Sequence, residues 1–147
     1  MAEIILSNRM QALTDMVTPG TVITDVGCDH GFVSVYLVQK GISPRVIAMD
    51  VRSGPLEHAR EHIREYGLED RIETRLSDGL HSLKTGEAAG MICAGMGGPL
   101  MEKILTEGRE QAKGFRELIL QPQSEIPHFR TFLMEEGYLL MDENIIY

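Results

Sequence analysis

A chain of 147 residues, 43% hydrophobic and 24% charged, has enough apolar side chains for one soluble domain with one core. Its formal charge of −8, from 14 Lys+Arg against 22 Asp+Glu, argues against holding nucleic acid by bulk attraction, which needs clustered cations. Cys28 and Cys93 are too few for a disulfide scaffold or a Cys-rich metal site, no apolar run reaches the roughly 20 residues of a membrane span, and the N-terminus lacks the marks of a signal peptide, so a cytoplasmic protein with no membrane partner is expected.

Ser7 can cap a first helix whose apolar face is Met10, Leu13, Met16 and Val17, and Thr18-Pro19-Gly20 stops it. A first strand runs from about Thr21 to Val26, followed by a helix from about Gly31 to Lys40 with Gly41 at its C′ position. Arg45 to Asp50 reads as a second strand, again ending in an acid. Pro55 suits the first turn of the next helix, which shows Leu56, Ala59, Ile63 and Tyr66 on one face and ends at Gly67. Arg71 to Leu76 alternates as a third strand, Gly90 to Ala94 is a short apolar fourth, and Leu118 to Leu120 is a fifth. Single helices are expected over Pro99 to Lys113 and Glu125 to Gly137, the latter with Phe129, Phe132 and Leu133 inward, and a mostly extended tail over Tyr138 to Tyr147.

Strands alternating with helices predict an α/β fold with a mostly parallel twisted sheet and helices on both faces. Ligands of such sheets sit beyond the carboxyl ends of the strands. The turns there, Gly27–Gly31, Asp50–Gly54, Ser77–Gly79, Gly95–Gly98 and Gln121–Gln123, are rich in glycines, acids and amides. Asp25-x-Gly27-x-Asp29-x-Gly31 is not the G-x-G-x-x-G of a dinucleotide site. It resembles motif I of the class I methyltransferases, D/E-x-G-x-G-x-G, with Asp29 in place of the middle glycine. Asp50, 25 residues after Asp25, can accept both ribose hydroxyls of a nucleoside, and Asp78 can accept from an adenine amine. Asp29 has three readings: a cap on the helix that follows, a counter-charge to a sulfonium or ammonium, or a group that faces the substrate. His58 and His62 lie four apart, but without a third ligand they read as a solvated helix face rather than a metal site, and no metal is expected. Cys28 and Cys93 read as structural thiols.

Leu6-Ser7-x-Arg9-Met10, Asp25-x-Gly27-x-Asp29-His30, Ser77-Asp78-Gly79-Leu80, Ala94-Gly95-Met96-Gly97-Gly98 and Leu120-Gln121-Pro122 occur together and in order. The set resembles the TrmK-type bacterial tRNA (adenine(22)-N1)-methyltransferases over nearly the whole chain. The resemblance implies a Rossmann-like class I methyltransferase fold, S-adenosylmethionine as methyl donor, and methyl transfer to N1 of a tRNA adenine. It also implies the site residues. The cofactor would lie on Asp25, Gly27, Cys28, Asp29, His30 and Gly31, on Asp50 with Val51, on Ser77, Asp78 and Gly79, and on Gly95 and Met96. The base would face Arg9, Gly97, Gly98, Gln121 and Pro122, and Asp29 would be the catalytic acid/base. A small-molecule methyltransferase of the same fold and a non-catalytic cofactor-binding remnant are the alternatives.

Members of that family continue into a further strand and a C-terminal helical extension linked with tRNA binding. Residues 1–147 therefore look like a single catalytic domain without that end, expected to bind tRNA weakly by itself. Tyr138–Met141 and Asn144–Tyr147 can supply a sixth strand, but no seventh, so the fifth strand would form an open edge through which the chain could self-associate.

Overall fold

The computed structural model describes residues 3–144. Five parallel strands, β1 (Ile23–Val26), β2 (Val46–Asp50), β3 (Ile72–Leu76), β4 (Gly90–Met96) and β5 (Glu117–Pro122), form one sheet in the order β3-β2-β1-β4-β5. The helices between them are α1 (Asn8–Asp15), α2 (Phe32–Gln39), α3 (Ser53–Glu65), α4 (Gly98–Glu107), α5 (Arg109–Lys113) and α6 (Ile126–Glu135). The expected α/β class and parallel sheet are both present. No helix among the described residues is long and apolar enough to cross a membrane.

Strand side chains alternate between faces, and each face has its own core. Ile23, Val46, Ala48 and Ile92 meet Leu13, Val35, Leu37, Leu56, Ala59 and Ile63 from α1, α2 and α3. Ile47, Met49, Met91 and Cys93 meet Met101, Ile104, Leu105, Ala112 and Phe129 from α4, α5 and α6. Asp25 shares the face of Ile23, which turns it toward α2. The central strands are buried on both faces, which is why β1, β2 and the start of β4 read as short apolar runs.

Four expectations need correction. The helix expected over Pro99 to Lys113 is two helices that meet at Gly108, a close-packed turn where an added Cβ would lie 2.7 Å from the Leu80 Cβ. The fourth strand continues past Ala94 through Gly95 to Met96, with a bulge where Gly95 takes a φ of 76°. The fifth strand likewise runs on through Gln121 and Pro122. Residues 138–144 form no strand, and Leu139 and Met141 are exposed; residues 145–147 of the expected sixth strand lie outside the described residues. β5 is the edge of the sheet as expected.

Candidate functional site

The loop after β1 is hung from the end of β2. The carbonyl of Met49 accepts from the N–H groups of both Gly27 (2.8 Å) and Cys28 (2.9 Å). One step on, Asp50 Oδ2 accepts from the Asp29 N–H at 3.1 Å while its Oδ1 accepts from the Arg52 N–H at 3.0 Å. The Asp50 side chain is only 3% exposed. Its carboxylate has lone pairs left for a ligand, but its first structural act is to latch one loop to another.

That latch holds Asp29 at a φ of 52°, a left-handed conformation that glycine adopts freely and aspartate adopts only when constrained. Asp29 thus stands in a glycine's place and keeps a glycine's backbone. Gly31 is the N-cap of α2, and no side chain caps that helix, so the capping role considered for Asp29 does not hold. Its carboxylate is instead 57% exposed, with Oδ2 4.0 Å from His30 Nε2.

Asp25 is 5% exposed and accepts from Ser34 Oγ at 2.8 Å, pinning the first turn of α2 to β1. Burial raises its pKa to about 6, with the Ser34 hydrogen bond opposing and the nearby Asp50 and Asp29 adding to the rise. Burial likewise pushes the Cys28 thiol upward, and the Cys93 thiol up to about 12, so both cysteines are inert thiols as expected.

Next along the sheet edge, Ser77 is a turn staple. Its Oγ donates to the Gly79 carbonyl at 2.8 Å and accepts from the Ser82 N–H at 3.0 Å. This leaves Asp78 exposed on the rim beside Gly79, Leu100 and Ile104. Val51, Leu76 and Leu100 expose 59%, 56% and 48% of their surface at or just past strand ends and at the start of α4. Leu100 lines the same hollow as Asp78, and an exposed apolar side chain beside an exposed acid suits a flat ring carrying an amine. Asp78, His81 and Glu107 are near enough to one another to hold a cation, but all are exposed and Lys103 lies 3.8 Å from Glu107, so this rim already carries its own counter-charge.

The loop after β4 is clamped by the loop after β5. Gly95 N–H donates to Gln121 Oε1 at 3.0 Å, Gln123 N–H to the Met96 carbonyl at 2.8 Å, and Gly98 N–H to the Ser124 carbonyl at 3.1 Å. With its amide nitrogen toward Gly95, Gln123 also donates to the Gly95 carbonyl at 3.2 Å and accepts from Arg9 Nη1 at 3.3 Å. Arg9, Gln121, Gln123 and Gly95 therefore form one network. Gly97 and Gly98 have a packing reason to be glycine: added Cβ atoms would lie 2.9 Å from Ser124 Oγ and 2.6 Å from the Ser124 carbonyl. Met96 folds back over Gly27, where an added Cβ would lie 2.4 Å from its Cε. Pro122 pairs in register with Met96 and so sits beside the same loop.

The fold thus gathers the loop after β1, Asp50 with Val51, the turn after β3 and the loop after β4 along one sheet edge. It adds Ser34, Leu76, Leu100, Gln123 and Ser124, which the sequence reading passed over. Of these only Gln123 had a signal, its place in the polar turn after the fifth strand. His58 is exposed, as a solvated face requires, and His62 half-buried; in addition both rings lie against His30 of the first loop, and His62 against Phe32 of α2.

The family model described as a methyltransferase domain matches residues 6–147. A tRNA (adenine(22)-N(1))-methyltransferase of Bacillus subtilis is 37% identical over 99% of this chain and 61% of its own length. The crystal structure of the B. subtilis M1A22 tRNA methyltransferase TrmK superposes with a TM-score of 0.94 at 36% identity, covering 99% of this chain and 62% of that one. A Streptococcus pneumoniae structure, described as a putative tRNA (m1A22) methyltransferase in complex with S-adenosyl-L-methionine, gives 0.87 at 33% identity over 90% and 63%. The chain spans about three fifths of the length of these relatives.

Proposed function

We propose that this chain, which belongs to the methyltransferase-domain family, transfers a methyl group from S-adenosylmethionine to N1 of an adenine in tRNA, at position 22. The observation that carries the reading is Asp29: an exposed carboxylate, held in a glycine's conformation on the loop where the family resemblance puts the methyl donor. The residues present fit such a donor. Gly27 and Gly31 keep left-handed backbones and bring no side chain of their own to the loop, the Met96 side chain lying over Gly27, and the loop's carboxylates suit a cationic donor. Bound there, S-adenosylmethionine supplies an electrophilic methyl group. Asp50 and Val51 would hold its ribose side, and Asp78 and Gly79 its adenine.

Adenine N1 carries a lone pair and no proton, so attack needs alignment before it needs a base. Transfer would leave the bond-breaking electron pair with the departing donor and the positive charge on the methylated base. Asp29 then acts as a fixed negative charge beside the charge that develops, more than as a proton acceptor. The network of Arg9, Gln123, Gln121 and Gly95 keeps the loop after β4 in one shape against which a ring can lie. Because N1 is on the Watson–Crick edge, the acceptor must be unpaired or extruded, at about a few kcal/mol.

The net charge favours a second reading, a small-molecule acceptor. Many of the cations are already paired, among them Lys40 with Glu3, Arg45 with Glu73, Arg60 with Glu57 and Arg109 with Glu136. Incubation with methyl-labelled S-adenosylmethionine and either bulk tRNA or a metabolite extract decides between them. Label in tRNA as 1-methyladenosine supports the proposal; label only in small molecules, or in neither, sinks it.

A further inference from the structure

Beside the first loop, α2 and α3 carry three rings that the cofactor reading does not use, Phe32, His58 and His62, and they pack with His30 of that loop. The chain has no Trp and only four Phe and four Tyr, yet four rings meet beside Asp29. His30 and His58 stack at 5.4 Å with their planes 3° apart, and His30 and Phe32 stack at 5.7 Å and 20°. Phe32 and His62 lie 4.6 Å apart at 31°. His62 Nδ1 is 2.7 Å from the His30 carbonyl. A carbonyl can only accept, so that nitrogen carries the proton and the ring is fixed in place. Gly31 lets the loop come this near: a Cβ there would lie 3.1 Å from the Ala59 Cβ on α3.

A solvated helix face does not need rings aligned across two elements. Here His30 and His58 are exposed, Phe32 and His62 are half-buried, and the bond to the His30 carbonyl sets the His62 ring before any ligand arrives. Pre-set flat rings at a surface are what unpaired bases stack on. We propose that His30, Phe32, His58 and His62 form a stacking platform for unpaired RNA bases next to the acceptor adenine. The proposal rests on the tRNA reading above and deepens it. An adenine exposed at N1 has left its helix, and its neighbours have lost a stacking partner on that side. The local charge also fits stacking better than phosphate binding. Asp29 lies 4.0 Å from His30, Glu57 and Glu61 flank the two α3 histidines in sequence, Arg60 is engaged by Glu57, and Arg52 lies beside Asp50. A platform of this kind gains little from counter-ion release, so its contribution changes little with salt.

The test is equilibrium binding of a fluorescein-labelled single-stranded oligoribonucleotide, and of its duplex, to this chain and to His58→Ala, His58→Phe and the double variant His58→Ala with His62→Ala. Single strand should bind more tightly than duplex. His58→Ala should weaken single-strand binding about ten-fold, the effect of losing one stacked base, and the double variant further. His58→Phe, which restores a ring without a titratable nitrogen, should stay within about two-fold of the parent. S-adenosylmethionine affinity by calorimetry should be the same in all four proteins. The proposal is overturned by single-strand binding unchanged in both Ala variants, by duplex bound as tightly as single strand, by no RNA binding at all, or by a parallel loss of cofactor affinity that would put the rings in the cofactor cleft. If tRNA is methylated while the Ala variants bind RNA normally, only the platform falls; if tRNA is not methylated, the reading beneath it falls.

Discussion

Replacing Asp29 by glycine separates its charge from its backbone. At a φ of 52° the aspartate carries a conformational cost, for an L-residue about 1–2 kcal/mol and somewhat less for Asp, which glycine would not carry. Glycine in turn loses about 0.5–1 kcal/mol of chain entropy on folding, so the two effects nearly cancel. Asp29→Gly should therefore fold with a stability within about 1 kcal/mol of the parent. Its Asp29 N–H still reaches Asp50, so the loop should keep its shape and its affinity for cofactor. What goes is the carboxylate. Opposite charges about 4 Å apart attract by about 1 kcal/mol in bulk water and about 4 kcal/mol at an effective dielectric constant of 20. With the side chain 57% exposed, the lower half of that range applies, and about 2 kcal/mol corresponds to about a thirty-fold loss of rate. Asp29→Asn, which tolerates the left-handed backbone and lacks the charge, should lose a similar factor. The assay is single-turnover methyl transfer to tRNA from labelled S-adenosylmethionine, with calorimetry for cofactor affinity and urea unfolding for stability. Turnover within two-fold of the parent in Asp29→Gly would refute the charge argument, and cofactor affinity falling as far as turnover would make Asp29 a cofactor ligand instead.

Asp50→Ala leaves the Asp29 and Arg52 N–H groups without their acceptor, and should weaken S-adenosylmethionine binding by about 1–3 kcal/mol in calorimetry; unchanged affinity would remove Asp50 from the site. Asp25 titrates near 6 in the folded protein against about 4 when unfolded, so the native state holds its proton longer and stability falls as pH rises from about 4 to about 6, by up to about 3 kcal/mol from this group. Asp25→Asn, which cannot ionise, should flatten that part of the pH–stability curve in urea unfolding; an identical slope in both proteins would contradict it. Gly98→Ala drives a Cβ to within 2.6 Å of the Ser124 carbonyl and should cost about 1–3 kcal/mol, and an unaltered Tm would show that the two loops are not locked together.

The parts of this protein that were legible in its sequence are those governed by neighbours along the chain. Apolar runs with an acid at or near the end marked the first two strands, alternation the third and short apolar runs the last two, while Gly41 and Gly67, both left-handed and both followed by the backbone bonds that close a helix end, marked the helix stops. The break at Gly108 was not legible, because the neighbour that crowds this turn is Leu80, a residue from the turn after β3. Nor was the bulge at Gly95, since a glycine inside a strand and a glycine in a turn look alike until the partner strand is known.

The candidate site divides in the same way. The identities of Asp25, Asp29, Asp50 and Asp78 pointed to one sheet edge, but their states did not follow from identity. Asp25 and Asp50 are both acids at strand ends, yet one is tied to Ser34 on α2 and the other to the loop holding Asp29. That second bond spans 21 residues and joins a side chain to a backbone N–H, which no local pattern encodes. It is also the bond that matters most here. A left-handed aspartate persists only where its surroundings over-determine it. Asp50 and the doubly bonded Met49 carbonyl supply that constraint, and what they hold in place is the one exposed carboxylate of this loop. A glycine would have met the backbone requirement at no conformational cost. Aspartate in that position therefore points to a use for its charge, and the cation formed on the base is the charge that the proposed reaction brings to it.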